Sequence, residues 1–142
     1  MSNSPQYELN TATQTKNIYS SSEISSEQLA WDIAEAADDK KAADIVLLKV
    51  SEISYLADYF VVATGFSTTQ VKAICDSVEE QIETKYQLTP LRMQGKTDAR
   101  WIVIDYGEVI VHIFMQEERE YYNLEAFWGH AERVEFSATS IE

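Results

Sequence analysis

The sequence predicts one α/β domain, with helices alternating with short strands, and three observations lead there. Two apolar runs, "DIVLLKV" (44–50) and "DYFVVATG" (58–65), have the length and β-rich composition of strands. Two segments, 25–41 and 67–86, repeat apolar residues at helical spacing. A further stretch, "RWIVIDYGEVIVHIF" (100–114), reads as two strands joined at "DYGE". A chain of 142 residues is ordinary for one domain and long enough to bury one core.

Taken in order, residues 1–24 hold Ser2, Ser4, Pro5 and Ser20 to Ser22 with little periodicity, a composition that predicts a disordered tail. The domain is expected over 25–136. In "SSEQLAWDIAEAADDKK", Leu29, Ile33, Ala36 and Ala37 share a helix stripe, with Ser25 or Ser26 available as N-cap. The strands over 44–50 and 58–65 follow, and the second is so apolar that both of its faces should be covered. After Gly65, "STTQ" (67–70) has the spacing of a capping box and should open a long helix. There Val71, Ile74, Cys75, Val78 and Ile82 form one stripe that runs through Tyr86, which makes Cys75 a core residue. Lys72, Asp76, Glu79, Glu80 and Glu83 fall outside it and read as a solvated face. "LTPLRMQGKTDA" (88–99), with Pro90 and Gly95, predicts a short strand and a loop. Past the hairpin, 117–128 predicts one or two short helices, and an acidic tail follows that is flexible over 137–142.

Charge and composition narrow the function. With 24 acidic residues against 11 basic ones the formal charge is −13, a surface that repels phosphate backbones and suits a basic protein partner. One cysteine allows neither an internal disulfide nor a Cys-based zinc site. There is no run long enough to span a bilayer and no secretory signal, and Lys16 is the sole basic residue of the Ser/Thr-rich start, so the expected setting is the cytosol.

Alternation separates the hairpin's two faces. Ile102, Ile104, Val109, Val111 and Ile113 form a core side; Trp101, Val103, Asp105, Ile110, His112 and Phe114 form the other, provided the turn at Tyr106–Gly107 keeps the rows in register. Aromatic and aliphatic residues without lysine suit the centre of a protein-binding patch. A second reading stays open: helices cover both faces, Trp101 and Phe114 are buried, and His112 is a hydrogen-bonded core histidine. Catalysis has less support. The "TGFS" turn before a helix is like the Gly-Ser turn of nucleotidyltransferases, but no closely spaced carboxylate pair follows on a strand to hold divalent metal. His112 and His130 lack metal-ligand spacing and a nucleophile partner. The acidic "EERE" (117–120) complements a helix N-terminus.

Two blocks, "DYFVVATGFSTTQVKAI" (58–74) and "RWIVIDYGEVIVHIFMQEEREYYNLEAFWG" (100–129), resemble the signatures of the ribosome silencing factor family, also called Iojap-like proteins. The resemblance spans about residues 25–129 and departs at Gln94, where the family more often carries an acidic residue. It implies a mixed β-sheet flanked by helices, nucleotidyltransferase-like but without the catalytic carboxylates. It also implies a protein without cofactor or enzymatic activity that binds the large ribosomal subunit through ribosomal protein fourteen. Such a protein blocks association with the small subunit and represses translation when nutrients are scarce. A contact role then falls on Trp101, Ile102, Asp105, Tyr106, His112 and Phe114, although alternation turns Ile102 inward and puts Tyr106 at the turn. A homodimer is one state open to the free protein, and the competing function is a nucleotidyltransferase-like enzyme with a degenerate metal site.

Overall fold

The computed structural model describes residues 24–137. The two expected tails lie outside the described residues except at their inner ends, Ile24 and Ser137. Ile24 is 9% exposed and packs into the core.

The chain forms α1 (Ser26–Asp38), β1 (Ala43–Lys49), β2 (Tyr59–Gly65), α2 (Thr68–Tyr86), β3 (Arg92–Gln94), β4 (Trp101–Asp105), β5 (Val109–Met115), α3 (Gln116–Tyr122), α4 (Leu124–Phe127) and β6 (Glu132–Glu135). Ser25, rather than Ser26, caps α1, its hydroxyl accepting from the Gln28 N–H at 3.0 Å. Ser67 caps α2 in the same way, accepting from the Gln70 N–H at 3.0 Å. The reciprocal half of the expected capping box is displaced by one residue. Gln70 Oε1 accepts from the Phe66 N–H at 2.7 Å, while its Nε2 donates to the carbonyls of Lys40 and Lys41 at 3.0 and 3.1 Å. One glutamine therefore caps a helix and fastens it to the turn that leaves α1.

The six strands lie in the order β3-β4-β5-β2-β1-β6. Every neighbouring pair is antiparallel except the central β2 and β5, which are parallel. A parallel pair needs a crossover, and the chain makes it through α2, β3 and β4. Central placement explains β2, all seven of whose residues are buried.

Helices α1 and α2 cover one face. Leu29, Ile33, Val71, Ile74, Val78 and Ile82 join one core cluster with Ile102, Ile104, Val109, Val111 and Ile113. Those five hairpin aliphatics are wholly buried, and each contributes up to about 1.5–3 kcal/mol by leaving water. Cys75 is buried in the same cluster, as its stripe predicts. The helices are also tied to each other: Ser77 Oγ donates to the Ala36 carbonyl at 2.8 Å, and the Tyr86 hydroxyl donates to the buried carboxylate of Asp32.

Strand β6 corrects the sequence reading, which placed this stretch in an acidic tail. Glu132–Glu135 pairs antiparallel with β1 as an edge strand whose four residues are all exposed, so no burial alternation marks it. Just beyond it, Phe136 meets Trp31 of α1 at 5.4 Å. At the opposite edge, Gly95 adopts φ +91° where the chain turns from β3 towards β4, and a Cβ there would lie 2.1 Å from the Trp101 carbonyl oxygen. Glycine is the residue that fits.

Candidate partner-binding face

The hairpin turn sets the register of the second sheet face. Tyr106 N–H donates to the Val109 carbonyl at 2.9 Å, Asp105 Oδ1 accepts from the Gly107 N–H at 2.8 Å, and Gly107 takes φ +92°. Trp101 then pairs with Phe114, Val103 with His112, and Asp105 with Ile110, the rows that alternation predicts. Phe60 and Val62 of β2 continue two of these rows opposite Ile110 and His112. On the outer edge, Arg92 and Gln94 lie opposite Asp105 and Val103, and Arg92 Nε stands 3.4 Å from Asp105 Oδ2.

This face is half covered. The segment after β5 crosses it: Leu124, Trp128 and Ala131 pack on a second apolar cluster of Val46, Leu48, Val50, Ala57, Phe60, Val62 and Phe114. Arg119 of α3 pins that segment to the sheet. It donates to the Asp44 carbonyl at 2.6 Å, to Thr64 Oγ1 at 2.8 Å, and in fork geometry to both oxygens of Glu125 at 3.0 and 2.9 Å. These bonds, helped by Arg133 at 3.0 Å, hold the Glu125 carboxyl below the usual carboxylate range. Glu117 and Glu118, expected to serve the helix dipole, also pair with Arg100.

The six residues with an expected contact role separate on burial. Trp101 and Asp105 are partly exposed, beside the equally partial Val103 and Ile110. Ile102 is wholly buried beneath the helices, and Tyr106 is 7% exposed on that same side, its hydroxyl without a partner among the described residues and its pKa raised by burial. Phe114 is wholly buried on the second face. His112 is 7% exposed, accepts from Trp101 Nε1 at 3.1 Å, and is pushed down to about 4 by desolvation. Phe114 and His112 therefore follow the core reading of this hairpin, while Trp101 and Asp105 keep surface to offer.

Tyr122 is the neighbour that hairpin alternation leaves out. It stands 4.7 Å from Trp101 and is 51% exposed, next to Tyr121 at 81%. Phe127, at 79%, flanks Trp128, which packs edge-on against Phe60 at 5.2 Å. The aromatic density of 121–128 was the available signal; its contact with Trp101 depends on how α3 folds back. The open part of the face is thus a strip of Trp101, Val103, Asp105 and Ile110 between the β3 edge and this aromatic rim.

The Thr64–Ser67 turn carries less chemistry than its sequence allows. Ser67 and Gln70 already accept from two backbone N–H groups at the helix start, donors that a phosphate would need. Among the described residues, Cys75, Asp76 and Glu79 come close enough to share a cation. Lys96 Nζ already stands 2.8 Å from Asp76 and 3.6 Å from Glu79, and burial pushes the Cys75 thiol up to about 12. A protonated thiol is a poor ligand. No helix among the described residues is long and apolar enough to cross a membrane.

Residues 23–142 match the family described as "Ribosomal silencing factor during starvation". The ribosomal silencing factor RsfS of Bacillus subtilis (strain 168) is 44% identical over 98 residues, spanning 69% of this chain and 82% of that protein. RsfS of Halalkalibacterium halodurans is 42% identical over 117 residues, spanning 79% and 95%. The chloroplastic protein Iojap of Arabidopsis thaliana is 33% identical over 127 residues, covering 87% of this chain and 52% of that longer one. A crystal structure of a Chromobacterium violaceum protein has the same fold, with a TM-score of 0.72 at 32% identity over 75% of this chain and 88% of that one. On the family match and these relatives, the chain belongs to the ribosomal silencing factor family.

Proposed function

We propose that this protein silences translation in the cytosol by docking on the large ribosomal subunit, through ribosomal protein fourteen, and standing in the way of the small subunit. The observation that carries the reading is the open strip of Trp101, Val103, Asp105 and Ile110 on a sheet face that is otherwise roofed. A partly exposed face of aromatic and aliphatic groups with one carboxylate, carried on strands, suits a protein partner. The net charge of −13 favours encounter with a basic partner and disfavours direct docking on RNA phosphates.

The test is cosedimentation with isolated large and small subunits, paired with a subunit-joining assay. Wild-type protein should pellet with large subunits alone and should slow joining. Val103→Arg puts a bulky cation in the middle of the strip; because Val103 is partly exposed, stability should move by no more than about 0.5 kcal/mol while affinity falls by roughly thirtyfold or more. A folded Val103→Arg protein that blocks joining at wild-type concentrations would place the partner elsewhere. The competing enzymatic reading requires magnesium and a nucleotide to bind at the Thr64–Ser67 turn, which a calorimetric titration with Mg-ATP tests.

A further inference from the structure

We infer that His112 is a positioning residue for the partner face: its Nδ1 fixes the indole of Trp101 in the orientation that the partner meets, and its ring does not itself touch the partner. This deepens the docking function proposed above and rests on it.

An indole N–H only donates, so the 3.1 Å bond from Trp101 Nε1 requires a lone pair on His112 Nδ1. The imidazole is therefore neutral, with its proton on Nε2. That Nε2–H is buried and meets no acceptor among the described residues. A buried, unsatisfied donor is unfavourable, and a leucine would fill the same space without it. What leucine lacks is the acceptor at the Nδ1 position, and Trp101 uses it.

The imidazole is held as firmly as it holds. Phe60 meets it edge-on at 5.0 Å, Phe114 lies nearly parallel at 6.2 Å, and 7% of the residue is exposed. Its own packing leaves it no surface for a partner. Trp101, by contrast, sits at the start of β4 and is partly exposed, with Phe114 at 4.9 Å and Tyr122 at 4.7 Å as its aromatic neighbours. Tyr122 is itself half exposed on the short α3, so aromatic stacking alone leaves the indole free to flip. The bond to Nδ1 selects one flip state and occupies the indole's single polar hydrogen. Binding then begins from an ordered aromatic anchor.

The chemistry of the bond supplies the test. An asparagine amide oxygen falls where Nδ1 was, whereas a glutamine amide falls where Nε2 was. His112→Asn should keep the Trp101 indole N–H resonance, assigned with Trp101→Phe, near its wild-type shift and slow in hydrogen exchange; His112→Gln and His112→Leu should move it and speed its exchange. Affinity for large subunits should fall about tenfold in His112→Gln and His112→Leu and less than about threefold in His112→Asn, the cost of a disordered anchor. In a Trp101→Phe background, which has no indole donor, His112→Leu should weaken binding no further. The inference is overturned if His112→Asn and His112→Gln bind alike, or if His112→Leu costs the same affinity with and without the indole. Should His112→Leu fail to fold, the Asn and Gln pair decides. Should the resonance respond as expected while wild-type protein ignores large subunits, the docking function falls and the Trp101–His112 lock in the free protein stands.

Discussion

Arg119 is the side chain whose removal should most clearly separate the roof of the second sheet face from the sheet itself. It is 12% exposed and bonds to β1 at Asp44, to β2 at Thr64 and to Glu125, itself 15% exposed. Breaking a buried ion pair from one side costs about 3–5 kcal/mol, because the remaining charge is left without compensation. Here Arg133 still reaches Glu125 at 3.0 Å, and the exposed Asp44 can return its carbonyl to water, so Arg119→Met should cost about 2–3 kcal/mol. In urea this lowers the unfolding midpoint by roughly 1–2 M with an unchanged slope. Glu125→Gln alone should cost less, since an amide oxygen at the Oε2 position still accepts from both arginines and only the bond from Arg119 Nε is given up. The double variant should be more stable than the sum of the single losses predicts, with a coupling of about 1 kcal/mol or more. Because Arg119 keeps the Glu125 carboxyl below its usual range, the pair contributes fully above the unfolded carboxylate pKa and is lost as pH falls through the lower folded value. A loss under about 0.5 kcal/mol for Arg119→Met, or strict additivity with Glu125→Gln, would refute the pinning argument.

Phe114→Ala should destabilise the fold by about 3–5 kcal/mol in chemical denaturation, as expected for a wholly buried aromatic; a loss within 1 kcal/mol would return Phe114 to the surface. Ser67→Ala should cost about 1 kcal/mol and Ser67→Asp much less, read from the same melts, because either oxygen can cap the Gln70 N–H. His112 titrates near 4 when folded against 6.5 when exposed, so above pH 6.5 it adds no pH dependence. Between those values the unfolded chain takes up a proton that the folded one refuses, and stability should fall by about 3 kcal/mol as pH drops across the window. His112→Asn should remove that slope, and equal slopes in both proteins would contradict it.

How much was legible in the sequence follows from which interactions are local. A cap at Ser25 or Ser26, the cap at Ser67, the Val71 to Ile82 stripe, the buried β2 and the inward row of Ile102, Ile104, Val109, Val111 and Ile113 could be read directly, and the structure selects Ser25. Capping needs partners three residues away, and strand alternation follows from backbone geometry once the turn at Gly107 sets the register. The family blocks over 58–74 and 100–129 are equally local and led to the family.

The second face was not legible in the same way. Alternation puts Trp101, Asp105, His112 and Phe114 on one side, but not what lies above them. That depends on α3 turning back after Met115, on Arg119 reaching Thr64 from 55 positions away, and on Trp128 settling over Phe60. The same distance in sequence hid β6, an edge strand whose exposed residues carry no pattern and whose pairing exists only because β1 offers an open edge. The sequence by itself determined the elements other than β6, the helix-covered core and the family, because those rest on contacts within a few residues or on a repeat along one element. Only the tertiary structure decided that Phe114 and His112 lie inside while Trp101 and Asp105 remain at the surface, because burial of a sheet face is set by whichever distant segment comes to cover it.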